Sequence, residues 1–138
     1  MIFSFLLLKM ATNLAIQFIL SHKFLNHCYD TLGAEMTESQ KTNAFLKKVQ
    51  AMLPDAVIFK HNDRITAGIP DASISRKGTT MWIEFKDGTK IPEHQRLIAD
   101  RMGNVYFYDH KKQVLQRFGG PALTREVSAL AFILWRLT

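Results

Sequence analysis

Apolar positions at Phe45, Leu46, Val49, Met52 and Leu53 recur at helical spacing and predict an amphipathic helix ended by Pro54-Asp55. Its start is marked by Thr37-Glu38-Ser39-Gln40 directly after Met36, a capping-box pattern. Ala56 to Phe59 is a short β-type run, and Lys60 to Gly68 is polar and turn-like. Asp71–Ser75 and Thr80–Lys86 read as two strands joined by a turn at Arg76–Thr79. Pro92 suits the first turn of a second helix, which carries Gln95, Leu97, Ile98 and Met102 and stops at Gly103. Val105–Tyr108 is a fourth strand. Beyond Gly119-Gly120-Pro121, the residues Leu123, Val127, Leu130, Ile133, Leu134 and Leu137 mark a last amphipathic helix. The order α-β-β-β-α-β-α predicts an α/β domain, a sheet covered by helices.

The first 35 residues break this pattern. Met1 to Leu8 is an apolar run interrupted by Lys9, and a second runs from Leu14 to Leu20. Neither reaches the ~18–20 apolar residues of a membrane span, so no stable membrane partner is expected. Three readings of the leader stand: a weak signal or anchor, an extra helix packed on the domain, or sequence upstream of the true start. The helix cap immediately after Met36 favours the third. The chain therefore divides into an apolar leader, 1–35, of undecided status and a domain, 36–138.

Composition narrows the class. With 138 residues, 47% hydrophobic and 22% charged, the chain is neither disordered nor fibrous and has one domain's worth of sequence. A single cysteine, Cys28, excludes an internal disulfide framework and a zinc site built on several cysteines. The leader is neutral (Lys9 and Lys23 against Asp30 and Glu35), so the whole net charge of +6 lies in the domain. That balance suits a polyanionic partner; the setting expected is the cytoplasm of a bacterial or phage-infected cell.

The candidate chemistry lies in Gly68-Ile-Pro-Asp71 followed by Glu84-Phe-Lys86. Centring the hairpin turn on Lys77-Gly78 places Asp71 opposite Glu84, with Cβ atoms roughly 4.5–5.5 Å apart. Lys86, two residues on, points to the same side, while Ala72, Ile74, Met81, Ile83 and Phe85 take the other. One face is then core, and the other carries two acids and a base. Two close carboxylates repel unless something positive joins them. A divalent metal does so: Mg²⁺ accepts one or two carboxylates with water and phosphate, and can polarise a phosphoryl oxygen. The plainer alternative is a salt-bridged sheet surface with Lys86 between the acids.

These residues resemble the PD-(D/E)XK nucleases, and within them the VRR-NUC branch found alone in phage and bacteria and fused in larger repair enzymes. The glycine before Pro70-Asp71, Gln95 nine residues after Lys86, and Gly103-x-Val105 are branch-like details. The resemblance spans about Glu38 to Tyr108. It implies a restriction-endonuclease-like mixed sheet flanked by helices. It further implies Mg²⁺ or Mn²⁺ held by Asp71, Glu84 and the backbone carbonyl of Phe85, with Lys86 as catalytic lysine and Gln95 facing the site. An acid on the first helix also belongs to the pattern, and Glu38 is the candidate, although it equally suits the helix N-terminus. The implied activity is a metal-dependent DNA endonuclease selective for branched, flap or junction DNA in replication and repair, acting as a homodimer.

Around the motif, Lys60 and Arg64 precede the site, Arg76 and Lys77 sit at the hairpin tip, and Lys90 follows the third strand. Each is a candidate phosphate contact or an ordinary surface cation, as are Lys111-Lys112; phosphate contacts position nucleic acid without specifying sequence. His61, in the polar loop before the motif, reads as a solvated loop residue before a neighbour of the metal, since it has no ligand-spaced partner, and His94 is a site candidate only by adjoining Gln95. Trp82, Tyr106 and Tyr108 read as packing before base stacking. The last helix, apolar over most of its circumference, asks for a second surface: the leader, or the same helix of a second subunit. The competing class is a non-catalytic nucleic-acid-binding or dimerisation module that keeps the nuclease fold.

Overall fold

A computed structural model describes residues 35–61, 68–117 and 119–138. Its elements are α1 (Glu38–Met52), β1 (Val57–Lys60), β2 (Ala72–Arg76), β3 (Thr79–Lys86), α2 (Glu93–Met102), β4 (Val105–Asp109), β5 (Val114–Arg117), β6 (Ala122–Thr124) and α3 (Glu126–Leu137). The six strands form one mixed sheet in chain order. Every neighbouring pair is antiparallel except β3 and β4, which run parallel and are joined through α2.

The helix boundaries follow local chemistry. Thr37 caps α1 with both halves of the box: its hydroxyl accepts from the Gln40 amide, and its own N–H donates to Gln40 Oε1 at 2.9 Å. Pro92 precedes α2 in an extended conformation, and Gly103 ends it at φ 80°, a geometry that favours glycine. Strand alternation then sorts the sheet faces. Ala72, Ile74, Met81, Ile83 and Phe85 are fully buried with Phe45, Leu46 and Val49 of α1 and Ala129, Leu130, Ile133 and Leu137 of α3. On the other face Ala99 of α2 packs on Val105 and Phe107, flanked by Trp82 and Ile91.

Two expectations need correction. The sheet has two further strands, so the order is α-β-β-β-α-β-β-β-α. Both strands are short, and only Leu115 among their residues is buried, so no alternation advertises them. Leu123 accordingly belongs to β6, opposite Leu115, and α3 begins three residues later. Among the described residues, no helix is long and apolar enough to cross a membrane. Of the leader, 1–34 lie outside the described residues.

Candidate active site

Antiparallel pairing brings the end of β1, the start of β2 and the end of β3 to one end of the sheet, and parallel β4 finishes there too. The β2–β3 register runs from Ala72–Ile83 to Arg76–Thr79, the pairing that a turn at Lys77–Gly78 requires. Asp71, one residue beyond this ladder, sits across from Glu84. Their backbones lock the arrangement: the Asp71 N–H donates to Glu84 Oε2 at 3.1 Å, and the Phe85 N–H donates to Asp71 Oδ2 at 2.9 Å.

Glu84 is 6% exposed, a buried carboxylate with several donors around it. Gln95 Nε2 donates to Glu84 Oε1 at 3.0 Å, and Lys86 Nζ lies 3.2 Å from the same oxygen. Burial pushes the Glu84 carboxyl above its ordinary value near 4.5, and the charge on Asp71 pushes the same way. The Lys86 ammonium acts in the opposite direction without cancelling them. Asp71, Glu84, Phe85, Lys86 and Gln95 are thus brought together, on strands and a helix that the core holds in place.

The remaining candidates separate. Glu38 is exposed on the first turn of α1, and no described hydrogen bond or ion pair joins it to Asp71 or Glu84. Lys60 ends β1 at the site's rim, where its Nζ donates to Ser39 Oγ and Asn43 Oδ1. Arg76 is a clasp at the far end of the sheet, bonded to Asp55 at 2.7 Å and to the Leu137 carbonyl at 2.8 Å. Lys77 is exposed at the turn there, with φ 49°. Lys90 is exposed in the loop before α2. Arg64 lies outside the described residues. Tyr106 and Tyr108 are buried in the core, as packing residues.

Several contacts behind these residues carried no sequence signal. The His61 ring stacks on Trp82 with centroids 5.2 Å apart and bonds Ser73 Oγ at 3.0 Å, while the His61 backbone N–H donates to the Asp71 carbonyl. On the opposite face, His110 stacks flat on Phe85 at 5.2 Å and bonds Thr42 at 2.9 Å. The His110 backbone N–H donates to the Lys86 carbonyl at 2.8 Å, and Lys41 pairs with Asp87 at 2.9 Å. These contacts join α1 to the backbone at the catalytic lysine candidate. Each spans tens of residues, beyond any local motif.

Among the described residues no group of three or more His, Cys, Asp or Glu could hold an ion, so a closed all-protein cage is absent. Two carboxylates do fit Mg²⁺, which keeps waters and takes one or two protein acids. Gln95 Oε1 is buried without a partner while its amide nitrogen faces Glu84, leaving an acceptor that a water on such an ion can fill. No family model, curated protein or solved structure matches the chain.

Proposed function

We propose that this chain is a magnesium-dependent endonuclease that hydrolyses DNA phosphodiester bonds, selective for branched, flap or junction DNA. The observation that carries the reading is the in-register pair Asp71 and Glu84, with Lys86 and Gln95 both on Glu84 Oε1. The element order from α1 to β4, with helices on both sheet faces, supports a restriction-endonuclease-like fold, and Gly68-Ile69-Pro70-Asp71 supports the VRR-NUC branch.

Asp71 and Glu84, with the Phe85 carbonyl, would hold Mg²⁺ or Mn²⁺. When bound, the ion supplies polarisation of a phosphoryl oxygen and a lowered water pKa. The chain's own residues do the rest. Lys86 presents an ammonium beside the carboxylates, where it holds negative charge building on the phosphate. Gln95 Oε1 accepts a hydrogen bond from the attacking water and so aims its oxygen at phosphorus. Water oxygen bonds to phosphorus as the bond to the bridging ester oxygen breaks; the water gives up a proton to solvent, and the departing oxygen takes one from solvent. A homodimer places two such sites on one junction.

Purified protein on duplex, flap and four-way DNA, with Mg²⁺, Mn²⁺ or EDTA, tests this directly. Cleavage is expected with either ion and none in EDTA. Asp71→Ala, Glu84→Ala and Lys86→Ala should each abolish it with unchanged circular dichroism, because the three act as one unit. Wild-type cleavage by any one variant removes that residue from the mechanism. DNA binding without cleavage by the wild type selects the non-catalytic module instead.

A further inference from the structure

The open edge of the sheet, next to the carboxylates, carries features the catalytic reading does not use. β1 pairs only with β2 among the described residues, leaving its outer backbone unpaired. Phe59 lies opposite Ser73 on the carboxylate face and is 60% exposed. Lys60, next in sequence, points toward α1, where Ser39 Oγ and Asn43 Oδ1 hold its ammonium at 3.1 and 3.0 Å. The other described cations in side-chain hydrogen bonds are all matched by an acid: Lys41 by Asp87, Lys48 by Glu126, Arg76 by Asp55 and Lys86 by Glu84. Among these, Lys60 alone is fixed by neutral acceptors, so no partner acid offsets it. An ammonium has three donors, and two are spent on the protein.

We propose that this edge carries a single-stranded segment of the nucleic-acid substrate, with Lys60 seating a backbone phosphate and Phe59 stacking a base. The proposal rests on the nuclease reading and extends it to the path of the strand. Two neighbouring positions on one strand present a cation and an exposed aromatic on opposite sides, the pairing that single strands need for backbone and base. Lys60 is opposite Ala72, the neighbour of Asp71, so the seat lies at the same end of the sheet as the cleavage centre, around the strand edge from the carboxylate face. Ser39 and Asn43 are positioning residues: they aim the ammonium without neutralising it. On an open strand edge, Phe59, with Val57 exposed on the same face two residues away, is otherwise a liability for self-association.

The test uses the full chain in EDTA, so that binding is read apart from cleavage. Labelled oligo(dT) and a blunt duplex are titrated by fluorescence anisotropy over a salt series. Phe59→Ala is expected to weaken oligo(dT) binding on the order of tenfold, leaving duplex affinity and salt slope unchanged. Lys60→Gln should reduce the oligo(dT) slope by about 0.7, the share of one phosphate contact. Asn43→Leu should weaken oligo(dT) binding at unchanged slope, since it frees the ammonium and keeps its charge. Phe59 and Lys60 are exposed, and circular dichroism verifies the fold of each variant. Wild-type oligo(dT) affinity in Phe59→Ala, or an unchanged slope in Lys60→Gln, overturns the proposal alone. So does a Phe59→Ala chain that changes from dimer to monomer at unchanged affinity, since the edge then belongs to a second copy. A wild-type chain that binds neither DNA overturns the nuclease reading with it.

Discussion

Burial and the adjoining Asp71 charge both favour the protonated form of Glu84, so the metal-free fold holds a proton that the unfolded chain releases. Stability without metal therefore falls as pH rises from the ordinary glutamate value through the raised one. Asp71→Asn removes the repelling charge and keeps an acceptor for the Phe85 N–H. It should raise the metal-free Tm at pH 7 by about 2–5 °C while abolishing cleavage. Mg²⁺ should raise the Tm of the wild type more than that of the variant, as differential scanning calorimetry would read. His110 works with the opposite sign. Burial holds its imidazole below the ordinary 6.5, with Lys41 acting the same way and Asp87, Glu126 and Asp109 against it. Its contribution is present above pH 6.5 and is lost as pH falls through the lowered value. His110→Phe should flatten that acid limb in urea titrations, yet cost about 1 kcal/mol at pH 7.5 because Thr42 loses its partner.

At the scale of elements, α2 is tied to the motif from two sides. Gln95 reaches Glu84, and Ile98 packs against Gly68 so closely that a methyl group there would meet its side chain. Gly68 also holds φ 96°, which a side chain strains in any space. Gly68→Ala should cost about 1–3 kcal/mol and displace α2. Its kcat/KM should then fall further than the lost stability explains, since Gln95 moves with the helix. A wild-type kcat/KM in the folded variant would show that α2 does not depend on this contact. The same glycine was legible in the sequence as part of the motif; its partner, thirty residues on, was not. The hairpin register was legible because a tight turn and strict alternation leave one pairing. β5 and β6 were not, because three- and four-residue strands draw their stability from neighbours.

For the whole molecule, α3 divides between core and surface. Leu130 is fully buried against the sheet, Leu134 is half-buried, and Trp135 is 52% exposed beside Phe132. Leu130→Glu should unfold the chain, since it places an unpaired charge in the core. Leu134→Glu and Trp135→Glu should stay folded by circular dichroism. If the proposed homodimer uses this face, both shift sedimentation to the monomer mass; a dimer unchanged by both moves the interface elsewhere. The apolar breadth of this helix, read from the sequence as a demand for a second surface, is met for most of its stripe by its own sheet.

By itself, the sequence determined the elements with strong periodicity, the α1 cap, the two faces of the hairpin and the meeting of Asp71, Glu84 and Lys86. These rest on spacing a few residues long, on steric alternation and on one turn, all local. Tertiary structure alone decided which cations are neutralised. Arg76 became a clasp on α3, while Lys60 is held between the neutral acceptors Ser39 and Asn43. It also decided that α1 braces Lys86 through His110 and Asp87, and that Glu84 is buried deeply enough to resist ionisation. Charge pairing and desolvation depend on what packs nearby in space, and that is set by contacts between residues far apart in the chain.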